Sequence, residues 1–206
     1  MAAESKTVWK RVVLIALSML MVLFLAYMFL RNNIHTVTPG ALYRSAQLSP
    51  ERLKRLIRMD HIRTIINLRG RNENMAWYRD ELAVSRAMGV QHYDIRLSST
   101  HLPKTQQLHR LIDLFETAPR PILLHCQGGA DRTGFASAMW MLMHGESLLE
   151  ARQAYSILYF VHRPDSIGKQ VIPLYAHWLK HQHYQKSTTS HFMQWVSVAQ
   201  LGKQNK

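Results

Sequence analysis

Apolar positions recur along this chain in two alternating rhythms, once a first, unbroken run is set aside. Residues 12–30 read VVLIALSMLMVLFLAYMFL without a charge. At about 1.5 Å per residue a helix of that length is roughly 28 Å long, close to the hydrocarbon thickness of a bilayer. From residue 41 onward short β-rich runs alternate with helical stripes. Ser49 and Pro50 predict a helix start, Ser as N-cap and Pro at the first helical position, with Leu53, Leu56 and Ile57 as its buried stripe. IRTIINL predicts a strand ending at Arg69-Gly70, residues 72–88 a helix stopped by Gly89, and VQHYDIRL a second strand with Asp94 in its middle. A helix should start at Pro103 and run to Glu116, with Leu108, Leu111, Ile112 and Phe115 on one face. PILLH is continuously apolar, as a strand at the buried centre of a sheet should be. FASAMWMLMH, stopped by Gly145, and SLLEARQAYSILYF each predict a helix. Phe192, Trp195, Val196 and Ala199 fit one face of a last helix, packed on the domain or lying on a membrane.

Alternation of strands and helices predicts an α/β domain with a mostly parallel central sheet flanked by helices, preceded by one transmembrane helix. The expected division is a basic N-terminus (1–11), an anchor (12–30), a linker ending in Pro39-Gly40 (31–40), one α/β domain (41–180) and a basic tail (181–206) with a short amphipathic helix. Lys6, Lys10 and Arg11 before the apolar run favour a cytoplasmic N-terminus, with the domain outside the inner membrane. A cleaved signal peptide is the competing reading, although the run is longer than a usual signal core and no small-x-small site follows.

The net charge of +13 over 206 residues favours anionic partners, with a solvated basic surface as the plainer explanation. One cysteine, Cys126, excludes an intramolecular disulfide and every multi-cysteine zinc pattern. It is either a small buried hydrophobe or a nucleophile, and its neighbours decide. The run His125-Cys126-Gln127-Gly128-Gly129-Ala130-Asp131-Arg132-Thr133-Gly134 stands between the buried strand and a helix. The glycines let backbone N–H groups turn inward as an anion nest, and the helix beginning near Thr133 adds its positive end. A thiol at the lip of such a nest loses its proton readily. The planar fork of Arg132 matches two phosphoryl oxygens.

This run resembles the signature loop of the protein tyrosine phosphatase superfamily, HCxxGxxR followed by Ser or Thr and Gly, at His125, Cys126, Gly129, Arg132, Thr133 and Gly134. With ALYRSAQ and a strand ending in NLRG upstream, residues 40–180 resemble the small dual-specificity-type phosphatases of bacteria and fungi, several of which are secreted or anchored outside the inner membrane. The resemblance implies a two-step hydrolysis without metal or cofactor. Cys126 would form a thiophosphate intermediate. Arg132 and the amides of Gln127, Gly128, Gly129, Ala130, Asp131 and Arg132 would hold the phosphoryl oxygens. Thr133 would stabilise the departing thiolate, and His125 would order the loop. For the general acid, Asp94 lies at a plausible distance, Asp131 occupies a place proposed for the acid of some inositol-lipid phosphatases, and His101 is a third candidate. Arg44 and Arg69 are candidates for the substrate rim, as are Arg163 and Lys169, with surface solvation as the alternative for all four. His181 and His183 lack a carboxylate partner and do not suggest a metal. The expected partners are a phosphorylated protein or another phosphomonoester, and a membrane. No nucleic acid is expected. A phosphoinositide or inositol phosphate substrate, and a catalytically silent phosphate-binding module, remain as alternatives.

Overall fold

The computed structural model describes residues 2–30, 32–161, 163–199 and 201, without the side chains of residues 2–8, 12 and 25–30. Helix α1 (Ala2–Leu30) comes first. Its described side chains from Val13 to Phe24 are exposed and overwhelmingly apolar. Seven side chains of the apolar run 12–30 lie outside the described residues, and among the described residues no helix is long and apolar enough to cross a membrane.

The domain is a three-layer α/β/α sandwich around a five-stranded sheet, β1 (His35–Thr38), β2 (Leu42–Ser45), β3 (Thr64–Asn67), β4 (Gln91–Asp94) and β5 (Ile122–His125), in the order β1-β2-β5-β3-β4. The β1–β2 pair is antiparallel and the other three pairs are parallel. β3 (TIIN) and β5 (ILLH) are buried at every position, as strands covered on both faces must be. Alternate residues point to opposite layers. Ile65 and Leu123 meet α2 (Pro50–Met59) and α3 (Ala76–Ala87), whereas Ile66, Ile122 and Leu124 meet α4 (Thr105–Thr117), α5 (Asp131–Met143), α7 (Ile167–His181) and α8 (Thr189–Val198). α5 is buried nearly all round, so it is the pillar of that second layer. Register brings the carboxyl ends of the four parallel strands into one row, Ser45, His125, Asn67 and Asp94. Ligands of parallel sheets bind beyond that edge.

Several sequence expectations are met. Ser49 caps α2 by accepting from the Arg52 N–H at 3.4 Å, with Pro50 at its first position. The last helix, α8, buries Phe192, Trp195 and Val196 against the domain. Others need correction. Residues 35–38, expected as linker, form edge strand β1. Asp94 ends β4 instead of lying within a strand. Residues 147–160 do not make one helix. α6 (Leu148–Gln153) is followed by a 3-10 turn at Ile157–Tyr159 that closes with Phe160 left-handed, at φ 62°. The interruption seats Tyr155 against the α-carbons of Gly134 and Gly168, where added β-carbons would lie 3.0 Å from it. α7 falls in a stretch for which the sequence reading named no element.

Candidate active site

β5 ends at His125 and α5 begins at Asp131, so residues 126–130 form the turn between the sheet's central strand and its central helix. The turn is held by its carbonyls. The Gln47 N–H donates to the Gln127 oxygen at 3.1 Å, Asn33 Nδ2 to the Gly128 oxygen at 3.1 Å, and Arg44 Nη2 to the Gly129 oxygen at 2.8 Å. A trans peptide directs its N–H opposite to its carbonyl. Three consecutive carbonyls drawn outward therefore leave the amides of Gly128, Gly129 and Ala130 facing the inside of the turn, which is the geometry of an anion nest. Gly129 makes this possible. It is left-handed, at φ +66°, and a β-carbon there would stand 2.6 Å from the Ala46 nitrogen and 2.7 Å from the Ser45 carbonyl carbon.

Cys126, the one cysteine of the sequence, is a free thiol only 2 % exposed. It lies at the floor of the turn and not at its lip. Gln127 and Gly128, by contrast, are exposed. Arg132 and Thr133 occupy the first turn of α5. Among the described residues, Arg132 Nε, Thr133 Oγ1, Asp131 Oδ1 and Ser45 Oγ are buried without a hydrogen-bond partner. Unpartnered buried polar atoms are uncommon in a folded protein. Here they gather around the anion turn, where Arg132 Nε, Thr133 Oγ1 and Ser45 Oγ are the donors a phosphoryl group would find.

Arg44, expected at the rim, is instead 1 % exposed and inside the protein. Besides its bond to Gly129 it donates through Nη1 to the Ala154 oxygen at 2.6 Å, and its guanidinium lies 4.1 Å from the Tyr159 ring centre. Burial lowers its pKa to about 10, against the opposing pull of Tyr159 and Cys126. It braces the turn. Arg69 is half-buried. Its guanidinium packs 3.5 Å over the Trp77 ring and donates to Gln47 Oε1 at 3.0 Å. Burial lowers its pKa, the charge of Arg132 lowers it further, and Cys126 and Glu81 oppose both, so Arg69 and Arg132 share one electrostatic neighbourhood with the thiol.

The candidate acids differ in their surroundings. Both Asp94 oxygens accept hydrogen bonds, Oδ1 from Asn67 Nδ2 at 2.7 Å and Oδ2 from the Tyr78 hydroxyl at 2.5 Å. Burial and that bond raise the Tyr78 pKa well above the usual phenol range. Asp131 keeps one oxygen buried and unpartnered. His101, in the loop after β4, contacts Ser98 Oγ at 3.0 Å and Thr100 Oγ1 at 3.2 Å. Arg163 is engaged by Asp165 at 2.9 Å and feels the charge of Asp131, which puts the loop before α7 alongside the turn.

Sequence reasoning missed Asn33, Gln47 and Glu81. Glu81 lies on the buried face of α3 and is 4 % exposed. It accepts from His92 Nε2 at 2.8 Å, His125 Nε2 at 3.0 Å and Gln47 Nε2 at 2.6 Å. Burial pushes its carboxyl up, but the charges and hydrogen bonds of His125 and His92 outweigh burial and hold it well below the usual carboxylate range. A charged residue on the inward stripe of Tyr78, Val84 and Ser85 was the legible signal.

Comparison with family models matches residues 30–164 to PTP-NADK, described as a DSP-PTPase phosphatase fused to NAD+ kinase. The chain belongs to this family. It is therefore a phosphatase-family member of the protein tyrosine phosphatase superfamily. No curated protein matches the chain. Among solved structures it is similar to the core catalytic domain of the PP-IP phosphatase SIW14 from S. cerevisiae, in complex with citrate. That likeness is 21 % identical with a TM-score of 0.59, covering 76 % of this chain and 96 % of the other. PTPMT1 in complex with PI(5)P is 15 % identical, TM-score 0.57, with 73 % and 98 % covered. A cysteine-to-serine variant of P. aeruginosa TpbA in complex with pTyr is 17 % identical, TM-score 0.54, with 82 % and 93 % covered. At these identities the likeness establishes the shared fold.

Proposed function

We propose that this phosphatase hydrolyses phosphomonoesters without metal, in the manner of protein tyrosine and dual-specificity phosphatases. The observation that carries the reading is the turn after β5, with its carbonyls drawn outward by Gln47, Asn33 and Arg44 and the thiol of Cys126 at its floor. The Cys126 thiolate attacks phosphorus, the P–O bond to the leaving group breaks, and a thiophosphate forms. Water then cleaves the S–P bond, releasing inorganic phosphate and restoring the thiolate. Arg132 and the inward amides of residues 127–132 hold the phosphoryl oxygens as charge develops on them. Thr133 Oγ1, buried and unpartnered, is available to donate to the departing thiolate. Asp131 is the better candidate for general acid, because one of its oxygens is free whereas both Asp94 oxygens already accept hydrogen bonds.

A second reading, that the substrate is a phosphoinositide or inositol phosphate, is supported by Arg69 beside Arg132. Two neighbouring guanidiniums repel each other, and a substrate with more than one phosphate relieves both. The structural likenesses to SIW14 and to PTPMT1 bound to PI(5)P agree with that substrate class. The bound phosphotyrosine of TpbA agrees with the first reading. Turnover of phosphotyrosine peptides, phosphoinositides and inositol phosphates, compared in one panel, separates them. Loss of the acidic requirement in the pH profile of Asp131→Asn but not Asp94→Asn would identify the acid, and the opposite result would move the role to Asp94.

The run 12–30 is proposed as a single membrane anchor with the catalytic domain on the extracytoplasmic side. The exposed apolar side chains from Val13 to Phe24 support it, since such a surface is costly in water. Retention of the full chain in membranes washed with alkaline carbonate tests the anchor, and protease access to the domain in sealed vesicles tests its side.

A further inference from the structure

The buried carboxylate of Glu81 has no place in the steps above, yet it stands directly behind the signature loop. His125, next to Cys126 in sequence, presents both ring nitrogens to oxygen atoms. Nε2 meets Glu81 Oε1 at 3.0 Å and Nδ1 meets the Cys126 carbonyl oxygen at 3.4 Å. A carbonyl accepts only, and an ionised carboxylate accepts only, so the ring satisfies both by carrying a proton on each nitrogen. A neutral ring would leave one buried nitrogen lone pair facing an oxygen lone pair.

We infer that Glu81 is a positioning residue for the nucleophile: it holds His125 as a buried imidazolium beside Cys126, and through Gln47 it joins that charge to the substrate-facing Arg69. The path is continuous. Glu81 Oε2 accepts from Gln47 Nε2 at 2.6 Å, and Gln47 Oε1 accepts from Arg69 Nη1 at 3.0 Å. The Gln47 backbone N–H meanwhile holds the Gln127 carbonyl of the loop. One carboxylate thus fixes the cation behind the thiolate, a loop carbonyl's donor and a rim cation. An imidazolium at that place stabilises the sulfur anion by charge as well as by ordering the loop. The inference rests on Cys126 being the nucleophile. The other charged groups facing the pair are His92 of β4, which shares Glu81 Oε1 at 2.8 Å, and Asp94, whose Oδ2 is 4.0 Å from His92 Nδ1. The Tyr78 and His92 rings pack edge to face, with centroids 5.9 Å apart.

Because Cys126 is the sole cysteine of the sequence, alkylation of the full chain by iodoacetamide across pH reads its thiolate directly, independently of turnover. Glu81→Gln preserves shape and a donor or acceptor at each oxygen but removes the charge. The pH midpoint of alkylation should rise by about one unit, because the imidazolium, the charge opposite to the thiolate, is lost with the carboxylate that holds it. In a His125→Asn background, Glu81→Gln should add no further shift, because the two act through one imidazolium. Val84→Ala, which loosens the same helix without touching the network, controls for packing and should leave the midpoint in place. An unchanged midpoint in Glu81→Gln, a shift that adds in full to that of His125→Asn, or an equal shift in Val84→Ala would each overturn the inference. A protein that shows the alkylation pattern but turns over no phosphomonoester would instead refute the proposed function and leave the role of Glu81 intact.

Discussion

Replacing Arg44 by methionine separates a brace from a binding residue. In the wild type the guanidinium makes two charge-assisted hydrogen bonds, at 2.6 Å to Ala154 and 2.8 Å to Gly129. Each is worth about 1.5–3 kcal/mol. Against them stands the burial that brings the Arg44 pKa from 12.5 to about 10, which corresponds to roughly 3 kcal/mol at about 1.4 kcal/mol per unit. The charge is therefore held at a modest net gain. Methionine keeps the packing of the stem but leaves two carbonyl oxygens buried without donors, at about 1–3 kcal/mol each. With that burial cost recovered, the expected net loss is at most about 3 kcal/mol, and Tm should fall by up to roughly 10 °C in a domain of this size. Thermal unfolding followed by circular dichroism reads the stability, and steady-state kinetics at a temperature where the variant is folded reads the function. Freeing the Gly129 carbonyl loosens the nest, so kcat should fall more than KM rises. A variant with unchanged Tm and a KM raised tenfold or more would refute the brace and return Arg44 to the substrate rim.

Gly129→Ala should lose vanadate binding and turnover together. The left-handed conformation alone costs about 1–2 kcal/mol for a residue with a β-carbon, and the contact at 2.6 Å with the Ala46 nitrogen forces the loop to move. Isothermal titration with vanadate checks it. Glu81 also shapes acid stability. Its folded pKa lies below the ordinary value of 4.5, so its contribution is complete above about pH 4.5 and is lost as pH falls toward the folded value. Glu81→Gln should be less stable than wild type at neutral pH, and the gap should narrow below about pH 4.5 in urea titrations. If the substrate is a phosphoinositide or inositol phosphate, Arg69→Ala should slow a substrate with several phosphates more than an aryl monophosphate, since only the former offers a further phosphate to a second cation. Steady-state kinetics on the two substrates reads the difference.

The chemistry was more legible in this chain than the scaffolding that holds it. The signature run stands whole in the sequence, and its strand-turn-helix setting follows from an apolar PILLH and the glycines after it. Ser49-Pro50 located a helix start to the residue because capping is local chemistry. What the pattern hid is what acts across distance. Asn33 looked like linker but reaches the Gly128 carbonyl 95 residues away. Arg44 looked like a surface cation until Ala154 and Gly129 closed over it. Residues 147–160 kept a helical rhythm, yet the core required Tyr155 against Gly134 and Gly168, and tertiary packing broke the helix. Glu81 was visible as a charge on an apolar stripe, but the partners that make it useful come from two separate strands and a loop.

Trapping of the covalent intermediate tests the central claim most directly. The full chain, mixed rapidly with an aryl phosphate and quenched in acid, should carry one phosphoryl group on the peptide containing Cys126. Cys126→Ser should bind vanadate yet turn over no substrate. Phosphate found on another residue, or turnover surviving in the serine variant, would contradict the account.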